Sequence, residues 1–115
     1  MPIGPPSPKT RMGVREPETL RSSVHKAWIR QQPCVVRSND CTGPREAAHF
    51  RTATGGGMGL KPGDQWTFPA CNFHHRQQHQ IGEASFQHRY SLNLRAICRL
   101  YAEHSPDQRI RETVR

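Results

Sequence analysis

The sequence predicts a small α+β domain with a core completed by metal. Three observations lead there. Only 33% of the 115 residues are hydrophobic and mean hydropathy is −0.85. A short chain with so little apolar surface commonly adds disulfides or a structural metal to its core. Three of the four cysteines, Cys34, Cys41 and Cys71, fall between residues 34 and 79, in the same stretch as His49, His74, His75 and His79. Short strand-like segments and a glycine-rich loop lead into helical periodicity from Phe73 onward.

Residues 1–19 are expected to form a flexible, basic, proline-rich tail. Pro2, Pro5, Pro6, Pro8 and Pro17 interrupt any helix, while Lys9, Arg11 and Arg15 make it either a basic arm or an inert extension. Leu20–Gln32 predicts a short helix, capped by Ser22 or Ser23, that carries Val24, Ala27, Trp28 and Ile29, with Trp28 as its core anchor. Pro33 ends it. Cys34-Val35-Val36 predicts a strand, and Ala47-Ala48-His49-Phe50 a second one, the two forming a small hairpin across the turn-rich 37–46 segment. Residues 52–64 form a loop that lacks the ending of a phosphate loop. Gln65–Ala70, with Trp66 and Phe68, packs the domain. A helix from Phe73 to about Gln80 is stopped by Gly82. Ala84, Phe86 and Tyr90 fit one short helix, and Leu92, Leu94, Ala96, Ile97, Leu100 and Tyr101 an amphipathic one with Cys98 as a core residue. Ser105-Pro106-Asp107 begins a last short helix. The organisation expected is therefore tail 1–19, domain 20–90 and a helical extension 91–115 packed on it.

The chemistry is concentrated in Cys71–His79. Cys71 and His74 have the spacing of a zinc knuckle, and Cys34 and Cys41 can supply the other half of a closed tetrahedral site. Two disulfides are arithmetically possible as well. No apolar leader argues for secretion, so reduced thiols and metal are favoured. His75 and His79, four apart, share a helix face and can chelate a second ion, with His49 facing it from the end of the upstream strand. A neutral His49 imidazole can take a proton from water attacking a phosphodiester. Two histidines with open positions do not choose among Zn2+, Mg2+ and Mn2+.

The formal net charge is +8, from 17 Lys and Arg against 9 Asp and Glu, which points to a polyanionic partner such as nucleic acid. Aromatic residues are 7%, too few for a single-strand stacking platform. No run of 18 apolar residues predicts a membrane span.

These residues together resemble the HNH endonuclease family of the ββα-metal, or His-Me finger, type, in the flavour of small phage and prophage proteins. The runs that carry the resemblance are His25-Lys26-Ala27-Trp28-Ile29-Arg30, Pro33-Cys34, Glu46-Ala47-Ala48-His49-Phe50-Arg51, Gly57-Met58-Gly59-Leu60-Lys61-Pro62-Gly63-Asp64-Gln65-Trp66 and Pro69-Ala70-Cys71-Asn72-Phe73-His74-His75-Arg76-Gln77-Gln78-His79. The resemblance implies a small zinc-stabilised ββα-metal core with additional flanking helices. It implies His49 as general base, His75 and His79 as ligands of a catalytic divalent metal, and Cys34, Cys41, Cys71 and His74 as the structural zinc site. Two departures stand out. The family carries Asp or His just before the base, where this chain has Ala48, and no Asn stands near Trp66 to orient the base. Asp64 is left to orient His49 or to bind the metal. The expected function is metal-dependent cleavage or nicking of double-stranded DNA, with Arg51, Lys61 and Arg76 on phosphates, in the cytoplasm of a bacterial host. The alternative is an inactive zinc-stabilised nucleic-acid-binding module.

Overall fold

The computed structural model describes residues 20–54 and 61–114. The predicted tail 1–19 and the centre of the glycine-rich loop, 55–60, lie outside the described residues. Among the described residues the fold is α+β: five short α-helices around one two-stranded antiparallel sheet. No described helix is long and apolar enough to cross a membrane.

Helix α1 spans Ser23–Ile29. The Ser22 hydroxyl caps it by accepting from the His25 N–H at 3.0 Å. Its anchor is Ile29, which is fully buried. Trp28 is half-buried instead and packs edge-on against Tyr101, ring centroids 5.7 Å apart.

The hairpin differs from the sequence expectation. Strand β1, Arg45–His49, pairs with β2, Thr67–Cys71, in the register Arg45↔Cys71 to His49↔Thr67. The segment Cys34–Val36 is not a strand. It meets the outer edge of β2 by one bond, from the Val35 N–H to the Pro69 carbonyl at 3.0 Å. Pro69 has no N–H to return, so a third strand cannot continue its ladder there. Arg37, at φ 51, then turns the chain away. What reads in sequence as packing residues, Gln65–Ala70, supplies most of the true partner strand, Thr67–Cys71, and the 3₁₀ turn at Asp64–Trp66 that leads into it.

Helix α2, Asn72–Ile81, follows β2 without a loop and ends at Gly82, whose φ of 86 suits glycine. Helices α3 (Glu83–Tyr90), α4 (Leu94–Glu103) and α5 (Gln108–Arg111) complete the fold. Phe68, Ala48 and Ala70 of the sheet share one buried cluster with Phe86 of α3 and with Leu94 and Cys98 of α4. The segment after residue 90 thus contributes to the same core as the sheet. Burying Phe86 and Leu94 contributes about 1.5–3 kcal/mol each. Arg95 ties α4 down further, lying over the Phe50 and Trp66 rings and donating to the Ala53 carbonyl at 2.8 Å.

Candidate metal centre and histidine–carboxylate pairs

Cys34, Cys41, Cys71 and His74 converge from three segments, with their ligand atoms all within 4.8 Å of one another. His74 Nδ1 lies 3.1 Å from Cys71 Sγ, 3.6 Å from Cys41 Sγ and 3.7 Å from Cys34 Sγ. A tetrahedral zinc, with Zn–S of about 2.3 Å and Zn–N of about 2.0 Å, holds its ligand atoms roughly 3.5–3.8 Å apart. The donor set and its spacing therefore fit a metal ion. Local sequence builds the site. Cys71 ends β2 and caps α2, its Sγ accepting from the His74 N–H at 3.5 Å, which puts His74 in the first turn and fully buried. Gly43, at φ 79, closes the loop from Cys41 back to β1; a Cβ there would stand 2.7 Å from Asn72 Cβ. Ser38 Oγ, 3.5 Å from His74 Nε2, faces the nitrogen turned away from the thiols. Burial opposes the Cys71 thiolate, yet the backbone N–H groups of His74 and Thr42 outweigh it and hold the thiol below its ordinary pKa. Burial also lowers the pKa of His74, keeping the imidazole neutral as a ligand must be. Cys98 stays apart in the core, where burial raises its pKa strongly.

At the other end of the sheet His49 meets Asp64. His49 Nε2 is 2.8 Å from Asp64 Oδ1, and Asp64 Oδ2 accepts from the Ser22 N–H at 2.8 Å. Asp64 is wholly buried. Burial alone would raise its pKa, but the Ser22 N–H, His49 and Lys26 outweigh that and keep it ionised. Both its oxygens are thereby engaged, which makes it an orienting partner of His49. The tautomer this favours has Nε2 protonated and Nδ1 free to accept. Burial lowers the His49 pKa against the pull of Asp64, so the ring is neutral at pH 7.

His75 and His79 do face each other on α2, ring centroids 5.1 Å apart. Each also has a partner that sequence reasoning did not assign. His75 Nδ1 lies 2.7 Å from Glu46 Oε1, while Asn72 donates to Glu46 Oε2 at 3.1 Å. His79 Nδ1 accepts from Arg51 Nη1 at 3.1 Å. The buried Glu83 accepts from the N–H groups of Arg51 and Thr52 at 2.6 and 2.9 Å and from Gln78 Nε2 at 2.6 Å. Gln78 Nε2 also donates to the His49 carbonyl at 2.9 Å. Through these bonds the end of β1 is tied to α2. Among the described residues, however, His49, His75 and His79 do not form a group of three converging ligands; the cysteine-rich cluster is the one such group. Ala48 is completely buried in the core and offers no ligand.

Of the predicted phosphate contacts, Lys61 is exposed, Arg51 is exposed beside His79, and Arg76 is exposed with Nη1 3.4 Å from Asn72 Oδ1. The family model described as a protein of unknown function (DUF968) matches residues 1–105. The chain belongs to the DUF968 family. The match spans the cysteine-rich cluster, His49, Asp64, His75 and His79, so the whole candidate site lies within the family's segment. No curated protein and no solved structure matches the chain. Glu46 stood in the motif quoted above, three residues before His49, and its position was the available signal for a role. Glu83 carried no such signal: a single acid after Gly82 reads as a helix start.

Proposed function

We propose that this chain is a metal-dependent endonuclease of the HNH type, with a ββα-metal core, acting on double-stranded DNA. Cys34, Cys41, Cys71 and His74 hold a structural Zn2+ in this reading. The observation that carries it is the His49–Asp64 bond of 2.8 Å with Asp64 buried behind it. A carboxylate that fixes one imidazole nitrogen and leaves the other as acceptor is the arrangement a general base needs.

His75 and His79 would hold a divalent ion (Mg2+, Mn2+ or Zn2+) with open positions, His79 through Nδ1 once Arg51 gives up its bond there. When bound, such an ion supplies charge stabilisation on the phosphate and the leaving oxygen. Water attacks phosphorus and its proton passes to His49 Nδ1, while the P–O bond to the leaving sugar oxygen breaks. Asp64 stabilises the imidazolium that results. Glu46 orients His75 by accepting from Nδ1–H, leaving Nε2 for the ion. Gln78 and Glu83 keep the His49 backbone in register with α2. Arg51, Lys61 and Arg76 are phosphate contacts, which position the duplex without reading its sequence.

A second reading is favoured by the buried Ala48 and by the lack of a three-ligand group at His49, His75 and His79. It is a zinc-stabilised DNA-binding module without chemistry. Incubation with supercoiled plasmid and Mg2+, Mn2+ or Zn2+ separates the two. The endonuclease gives metal-dependent nicking that His49→Ala abolishes; tight binding with no nicking under any of the metals sinks it.

A further inference from the structure

A single peptide unit links Asp64 to the C-terminal helix α5. The Ser22 N–H donates to Asp64 Oδ2 at 2.8 Å, and on the far side of the same peptide the Arg21 carbonyl accepts from Arg109 Nη2 at 3.0 Å. A peptide unit is planar and almost always trans, so its C=O and N–H point in opposite directions. Holding the carbonyl therefore aims the N–H. A cation on the carbonyl also polarises the peptide, which makes its N–H a better donor to a carboxylate. The effect reaches His49, because Asp64 Oδ1 is 2.8 Å from His49 Nε2.

Arg109 is itself held in place by Asp107. The same Nη2 donates to Asp107 Oδ2 at 3.0 Å, and Asp107 Oδ1 accepts from the Arg109 N–H at 2.9 Å. The Arg109 side chain, followed by the Ser22 hydroxyl, lowers the Asp107 pKa to about 2. Ser22 Oγ accepts from the His25 N–H, and its one proton goes to Asp107 Oδ2, 2.5 Å away. Ser105, buried just ahead of α5, accepts from the Asp107 N–H at 3.0 Å and pairs with His25 Nδ1 at 2.7 Å. The carbonyl of Arg21, the hydroxyl of Ser22 and the ring of His25 are thus all fastened to the segment 105–109.

We propose that Arg109 is a positioning residue for the His49–Asp64 pair, acting through the peptide between Arg21 and Ser22, with Asp107 holding its guanidinium there. The inference rests on the endonuclease reading above and extends the support of the base to α5. The test uses the full-length chain and Arg109→Gln, which keeps the backbone bond to Asp107 and the buried Ile110. Without DNA, the Ser22 amide proton is followed by NMR. It should lie downfield in the unmodified chain, as in a bond to a carboxylate, and move upfield in Arg109→Gln. Arg99→Gln, the same charge loss at an exposed position of α4, should leave it in place. In metal-dependent nicking of supercoiled plasmid, Arg109→Gln should lower kcat roughly two- to fivefold, the range of an exposed charge contact, with KM unchanged. The same substitution in an Asp64→Asn chain should cost nothing further. A Ser22 signal that stays in place, or that moves equally in Arg99→Gln, overturns the proposal whether or not the chain nicks DNA. So does an unchanged kcat, and so does a loss that appears in KM or persists in the Asp64→Asn chain, which marks Arg109 as a direct DNA contact. No nicking by the unmodified chain, with a Ser22 signal that moves as expected, rejects the endonuclease alone and leaves the link from Arg109 to Asp64 standing.

Discussion

The two ends of the β1–β2 pair use histidine in opposite ways. At the Arg45↔Cys71 end, four ligand atoms from three segments close on one another, three of the four residues buried. At the His49↔Thr67 end, roughly 13 Å along the strand at ordinary rise, His49 is held by Asp64, Ser22 and the α1 cap. No ring of ligands closes there among the described residues. The first end is a saturated donor set, suited to an ion that stays and holds the fold. The second is a polar network in which Asp64 engages one imidazole nitrogen of His49. α2 connects them, carrying His74 into the closed site and presenting His75 and His79 along the way.

The largest effect expected from breaking this contrast lies at the closed end. Structural zinc in small domains contributes about 10 kcal/mol or more, comparable with the whole stability of a domain this size. Cys71→Ser, or a strong chelator, should therefore unfold the chain as seen by circular dichroism, with one zinc lost per chain by metal analysis. A metal-free protein with unchanged melting would place the closed end among ordinary buried polar clusters.

A smaller effect belongs to the network that supports Asp64. His25, on α1, bonds through Nδ1 to Ser105 Oγ at 2.7 Å, and its buried Nε2 has no hydrogen-bond partner among the described residues. Burial pushes its pKa from 6.5 down to about 4, against the pull of Asp64 and Asp107. The unfolded chain then binds a proton in that window that the folded chain does not. Stability is therefore full above pH 6.5 and falls as pH drops toward about 4, by up to about 3 kcal/mol. Denaturant titrations of the wild type and His25→Asn should show a shallower pH dependence in the variant between those limits. Identical slopes would remove His25 from the account.

Smaller still is the expected role of Glu46. If it orients His75 for an ion, Glu46→Ala should weaken divalent-metal binding at His75 and His79 by about 10–100-fold while the zinc content stays the same. A Mn2+ titration reads this, and unchanged affinity would show that the Glu46–His75 bond serves only to pack β1 against α2.

Much of the closed end was legible in the sequence. Close Cys and His spacings fix local geometry, and the bond between Cys71 Sγ and the His74 N–H is one that a Cys-x-x-His at a helix start makes almost by itself. The helices were legible for similar reasons: Ser22, Gly82 and Asp107 mark ends of α1, α2 and α5. The sheet was not. Cys34-Val35-Val36 has strand composition, but its neighbour in space is Pro69, and the missing N–H there is a property of the pairing. The carboxylate partners were half legible. Asp64 stood out through the family resemblance, with its role left open between ligand and orienter. Both of its oxygens are bonded, to the Ser22 N–H and to His49, and those bonds come from residues 42 positions and 15 positions away. Glu83 is bound by the backbone of Arg51 and Thr52, about 30 residues upstream, which no local pattern encodes.

In the proposed endonuclease, His49, oriented by Asp64, is the base at the open end. The pH–rate profile of metal-dependent plasmid nicking tests it most directly. The wild-type rate should rise with pH through a His49 pKa below 6.5 and stay level above it, because burial favours the neutral ring. Asp64→Asn removes the charge that stabilises the imidazolium, so it should move that rise to lower pH and reduce the plateau, with folding and zinc content kept. His49→Ala should remove about 10²–10⁴-fold of the rate. A profile that is the same in wild type and Asp64→Asn, or nicking that survives His49→Ala, would contradict the account.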